Sequence, residues 1–160
     1  MSVVHVNQIK SFIEKQLANL IDLSDANTQT RDRLLLARGL ATLAAMHVSG
    51  VNKEDAAILV TDGGGDNGID AVVVTPTKNK IFLIQSKWND AGTKSIELGE
   101  MLKFREGCKR VISLKWDGFN SKFDKVKADV ELTRKSQCTD LLNSRVPKHF
   151  TIKRRMSSTN

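Results

Sequence analysis

Two β-branched apolar runs separated by a short polar turn constrain this chain more than any other feature. The first is Ile69-Asp70-Ala71-Val72-Val73-Val74, and the second is Lys80-Ile81-Phe82-Leu83-Ile84-Gln85-Ser86-Lys87-Trp88. Both have strand composition, and Thr75-Pro76-Thr77-Lys78-Asn79 between them reads as a tight turn. With Pro76 to Asn79 as the loop, Thr75 pairs with Lys80, and counting back along the ladder sets Asp70 opposite Gln85. Opposed residues of an antiparallel pair share a face, with Cβ atoms about 4.5–5.5 Å apart. Lys87 lies two residues beyond Gln85, so strand alternation returns it to that face. A carboxylate, an amide and an ammonium are thus expected together on an otherwise apolar surface, where burial is costly unless they act jointly.

Jointly they suit a divalent cation and a phosphodiester. Asp70 supplies an anionic oxygen, Gln85 a neutral side-chain carbonyl and Ser86 a main-chain carbonyl, the hard donors that Mg²⁺ prefers. Such a cation activates water and neutralises phosphate charge. Lys87 can orient the attacking water or stabilise the transition state.

At these residues the chain resembles the PD-(D/E)xK nuclease superfamily, whose pattern is Asp on one strand and (Glu/Asp)-x-Lys on the next. Here the pattern is Asp70 and Gln85-Ser86-Lys87, and the Gln form is similar to the Mrr-type restriction branch. The stretch from Val60 to Ala71, with Asp62-Gly63-Gly64-Gly65-Asp66-Asn67-Gly68 at its centre, more specifically resembles the N-terminal nuclease domain of abortive-infection phage-resistance (AIPR) proteins. The resemblance covers about residues 28–90. It implies a restriction-endonuclease-like α/β (α+β) sandwich, with a mixed sheet, a central hairpin and flanking helices. It also implies a Mg²⁺-dependent endonuclease acting on double-stranded DNA, with Mn²⁺ as an alternative cation, in restriction or phage defence. The expected metal ligands are Asp70, Gln85 and the Ser86 main-chain carbonyl; the catalytic set is Asp70, Gln85 and Lys87. The superfamily often adds an acid from the helix before the sheet, and Asp32 is the candidate; the other reading is a charge favoured by the helix macrodipole. Asp62 and Asp66 are read as supporting or turn-forming residues. The competing function is a catalytically silent nucleic-acid-binding or scaffolding module with the same fold.

The 160 residues fit one domain, expected over residues 1–153 with a disordered tail at 154–160. Members of the family are longer, so the chain reads as an N-terminal part or a minimal version. No apolar stretch approaches a membrane span, and no secretory signal opens the chain, so no membrane partner and a cytoplasmic location are expected. Cys108 and Cys138, without CxxC spacing, read as reduced thiols.

The net charge of +7 is uneven. Residues 1–100 hold 10 Lys/Arg against 12 Asp/Glu, and residues 101–160 hold 15 against 6. A basic C-terminal half suits a polyanion, and Lys122, Lys125, Lys127, Arg134 and Lys135 are its candidate DNA contacts. Paired cuts on a duplex would suit a homodimer.

Helical spacing of Val6, Ile9, Ile13, Leu17 and Leu20 predicts a helix over 4–20, and an Ala/Leu-rich helix follows over about 28–48. His47 on it reads as a core or boundary residue. A short helical turn capped by Asn52 should lead into a strand at Ala57–Thr61. Helices are expected at about 95–110 and 120–143, and a last strand at 146–153.

Overall fold

The computed structural model describes residues 3–75 and 79–145. It is an α+β arrangement of helices about a small antiparallel sheet. Helix α1 spans Val3–Phe12 and passes into a wider π-helical turn at Ile13–Leu17, so the helix expected to run to residue 20 stops being α-helical eight residues earlier. The change comes where Ile13 meets the next helix at Gly39: a Cβ on Gly39 would lie 2.4 Å from Ile13 Cγ2. Ile13 and Leu17 are both fully buried there, with Ile21, Leu23 and Leu36.

Helix α2 is Arg31–Ser49. It starts three residues later than its composition predicts, because Asn27 takes residues 27–30 into a turn. Its Oδ1 accepts from the Thr30 N–H at 2.9 Å and the Thr30 hydroxyl at 2.9 Å. The helix ends at Gly50, whose left-handed φ of 77° lets its N–H reach Met46 O. His47 is exposed, contrary to its sequence reading. Helix α3, Lys53–Ile58, has the expected Asn52 cap, which accepts from the Asp55 N–H at 2.8 Å. That cap and two alanines carry the helix through Ile58. The strand expected at Ala57–Thr61 therefore shrinks to a single bridge, Val60 to Ala71.

Strands β1 (Ala71–Thr75) and β2 (Lys80–Ile84) pair antiparallel in the expected register, Thr75 opposite Lys80 and Ala71 opposite Ile84. Pro76–Lys78, the tip of the expected turn, and the expected 146–153 strand and 154–160 tail lie outside the described residues. β1 is flanked on its other edge by residues 59–61, through Thr61 N–H to Asp70 O at 2.8 Å and Val72 N–H to Leu59 O at 3.1 Å. The central strand is covered on both faces, which explains its unbroken apolar run. Ala71, Val73 and Ile84 pack with Ala41, Ala45, Ala56 and Val60 on the α2/α3 side. Val72 packs with Val111, Phe123, Val126 and Val130, and with the half-buried Ile81 and Leu83. This second layer comes from α4 (Leu98–Ile112) and from α5 (Asp124–Arg145) with the 3₁₀ turn Ser121–Phe123 before it. Helix α4 ends at Ile112 and a turn follows at residues 113–114. Asp70 and Gln85 lie just beyond the last ladder pair, where the Asp70 N–H goes to Ile84 O and the Gln85 side chain reaches the Glu100 carbonyl of α4.

Candidate functional site

Asp70 stands at the start of β1, where neighbours on both sides hold its backbone. Its N–H donates to Ile84 O at 2.8 Å, and its carbonyl accepts from the N–H groups of Thr61 (2.8 Å) and Asp62 (3.2 Å). Its carboxylate Oδ2 accepts from the Ser86 N–H at 2.5 Å and the Ser86 hydroxyl at 3.3 Å. Burial pushes the Asp70 carboxyl up to about 6, and the neighbouring Asp62 and Asp66 charges push the same way, against the Ser86 hydrogen bonds. One carboxylate oxygen from each of Asp62, Asp66 and Asp70 lies within 4.8 Å of the others.

The turn that carries Asp62 and Asp66 is shaped by its own aspartate. Asp66 Oδ1 accepts from the Gly68 N–H at 2.7 Å, its Oδ2 from the Gly63 N–H at 3.3 Å, and Lys103 closes on Oδ1 at 2.7 Å. Helix α4 lies backbone-to-backbone against this turn. A Cβ on Gly68, at φ +79°, would sit 2.8 Å from Phe104 N, and a Cβ on Gly107 would sit 2.4 Å from Asn67 O. Neither obstacle is a flexible side chain. Gly107→Ala should therefore lower stability by about 2–3 kcal/mol, read as a drop in thermal midpoint; an unchanged midpoint would mean that α4 can lift from the turn at little cost.

Gln85 sits one residue past the end of β2. Its Nε2 donates to the main-chain carbonyl of Glu100 on α4 at 3.3 Å. Its Oε1 is buried and has no hydrogen-bond partner among the described residues, a state that costs free energy unless a ligand uses it. Lys87, two residues on, is paired with the Glu100 carboxylate. Lys87 holds that carboxyl below the usual range, with help from the Glu97 N–H at the head of α4.

These groups line one cleft of about 350 Å³ that includes Asp62, Asp66, Asp70, Gln85, Ser86 and Lys87. The three residues expected on one face do meet there. Asp32 does not: it is exposed in the first turn of α2, while Arg33, Leu34 and Ala37 of that helix line the cleft. The C-terminal cations also stand elsewhere. Lys122 donates to Asp62 O at 3.0 Å and Lys125 to Val60 O at 3.2 Å; burial, then the Lys122 charge, lowers the Lys125 ammonium below its ordinary value. Lys127 pairs with Asp124 at 2.5 Å and lies over Trp116, and Arg134 donates to Gln137 at 3.1 Å. Lys135 is exposed. The cations that line the cleft are Arg33, Lys87 and Lys103.

Sequence reasoning undervalued Asp62 and Asp66 and missed Glu100, Lys103 and Arg38. The four-residue spacing of Asp62, Asp66 and Asp70 around the glycines was a signal, as was a lone arginine on the Ala/Leu face of α2. No family model, curated protein or solved structure matches the chain.

Proposed function

We propose that the chain is a divalent-cation-dependent endonuclease acting on DNA, with a restriction-endonuclease-like core. The observation that carries this reading is the meeting of Asp70, Gln85 and Lys87 in one cleft, with the Gln85 Oε1 buried and unpartnered among the described residues. The donors fit a hard cation: clustered carboxylate oxygens and an orphaned amide oxygen suit Mg²⁺ or Mn²⁺. Asp70, Asp62 and Gln85 would hold it, with the Ser86 main-chain carbonyl; Asp66 is already committed to its turn and to Lys103. When bound, such an ion lowers the pKa of a coordinated water and neutralises charge on the phosphate. The chain's own part is to present these oxygens from the end of the hairpin and the glycine turn, and to supply Lys87 to the phosphate once its Nζ leaves Glu100. Arg33 and Lys103 at the cleft wall can meet flanking phosphates. A setting in restriction or phage defence follows the resemblance, and paired cuts would call for a homodimer.

A second reading is a silent nucleic-acid-binding or scaffolding module. It is favoured by the neutral Gln85 at the superfamily's acidic position and by the closed Lys87–Glu100 pair. Plasmid DNA incubated with the protein plus Mg²⁺, Mn²⁺ or chelator separates the two. Nicking or linearisation with either ion, and none with chelator, is the expected result. Binding without cutting supports the silent module.

Gln85→Glu sharpens the test. A full negative charge replaces a dipole next to the dication, so Mn²⁺ affinity should rise by about tenfold or more. A variant that binds Mn²⁺ no better than the parent would remove Gln85 from the ligand set. Cutting by the variant alone would mark the natural protein as a binding module.

Among the described residues no helix is long and apolar enough to cross a membrane.

A further inference from the structure

Arg38, in the middle of α2, is 1% exposed and is the largest fully buried side chain among the described residues. All five of its N–H donors are used. Nη1 donates to Asp25 Oδ1 at 2.7 Å and Asp22 O at 2.5 Å, and Nη2 to Asp25 Oδ2 at 2.7 Å and Asp62 O at 3.2 Å. Nε donates to Asp62 Oδ2 at 2.9 Å. The two aspartates raise the guanidinium above its ordinary pKa, and Arg38 holds the Asp25 carboxyl well below the usual carboxylate range.

A buried ion network of this kind is no better for stability than apolar side chains of the same volume, because desolvation consumes the Coulombic gain. Its geometry has one distinct consequence. Asp62 is pinned at two atoms by one planar fork, and Lys122 adds a third hold on its carbonyl at 3.0 Å. Oδ2 is turned to Nε, and one of the two Asp62 carboxylate oxygens lies within 4.8 Å of an Asp70 carboxylate oxygen at the cleft. Asp25 neutralises the guanidinium, so Asp62 keeps its charge available to a cation.

We propose that Arg38 is a positioning residue for the cation site, holding Asp62 as an oxygen donor beside Asp70 and Gln85. This rests on the reading that the cleft takes a divalent cation. Partners that orient ligands typically change metal affinity by about 10–100-fold when altered.

The test is Mn²⁺ affinity, by calorimetry on the full chain, for the parent, Arg38→Lys, Asp62→Asn and the double variant. Lys keeps the charge and loses the fork. Each single change should weaken Mn²⁺ binding by about tenfold or more, and the double variant should bind no worse than Asp62→Asn alone. Additive losses would show that Arg38 acts elsewhere, and parent-like affinity in Arg38→Lys would equally overturn the proposal. Should Arg38→Lys fail to fold by circular dichroism, Asp25→Asn replaces it. Asp25 is 45% exposed and is not among the residues that line the cleft, yet it supplies two of the five acceptors. Weaker Mn²⁺ binding by Asp25→Asn supports the proposal, and unchanged binding overturns it. A parent protein that binds no Mn²⁺ overturns the cation reading itself, and this inference with it.

Discussion

Asp70→Asn should abolish Mn²⁺ binding and plasmid cleavage, and should also raise the thermal midpoint of the metal-free protein at pH 7. Both effects come from one burial. The Asp70 carboxyl is desolvated and faces two other aspartates, so its folded pKa is about 6 against 3.8 for an ordinary aspartate. A raised folded pKa means that the stability contributed by this group is fully present below about pH 3.8 and is lost as pH rises through about 6. A difference of that size is worth on the order of 3 kcal/mol. Asparagine keeps an oxygen for the Ser86 N–H and never ionises. The midpoint gap between variant and parent should therefore open between about pH 4 and 6 and stay level above. A bound dication offsets the same cost, so Mn²⁺ affinity of the parent should fall as protons compete below pH 6. A gap that is flat across this range would mean that Asp70 is solvated. Undiminished Mn²⁺ binding by Asp70→Asn would remove it from the site.

The hairpin was legible because its signals are local. β-Branched residues and a Pro/Asn turn set strand and register together, and that register ends beside Asp70 and Gln85, which both line the cleft. The sequence-based strand limits ran too far at both ends, since residues 85–88 have no ladder partner and α3 takes residues 57 and 58. The acidic turn was half legible: three aspartates at four-residue spacing were visible, but their convergence depends on α4 lying against Gly68, which is a non-local contact. The placement of the basic half was less legible for a related reason. Counting charge treats each lysine as free, whereas Lys122 reaches across the fold to the carbonyl of Asp62 and to Asp25, and Lys125 to that of Val60. Asp32 and Arg33 differ by one helical step, and composition cannot tell which of them turns to the cleft. Arg38 stood out as a charge on an apolar face, but its partners come from two separate turns that only the fold brings to it.

Lys87→Ala should slow cleavage by ~10²-fold or more, the scale of losing one preorganised transition-state contact, while Mn²⁺ affinity stays near that of the parent. The separation follows from position. Lys87 is not a donor to the cation; it stands two residues past Gln85 at the same cleft, with its Nζ on the Glu100 carboxylate. That pair is 46% and 32% exposed, and a pair so open to water contributes little. A phosphate oxygen can take the ammonium from Glu100 at little cost, so the contact parks Lys87 without locking it. Glu100→Gln weakens the hold and leaves the main-chain carbonyl that orients Gln85 untouched; its cleavage rate should match or exceed that of the parent. If Glu100→Gln instead falls as far as Lys87→Ala, the intact pair is the working unit and Glu100 takes part in proton movement. If Lys87→Ala cuts as fast as the parent, the cleavage does not arise at this cleft.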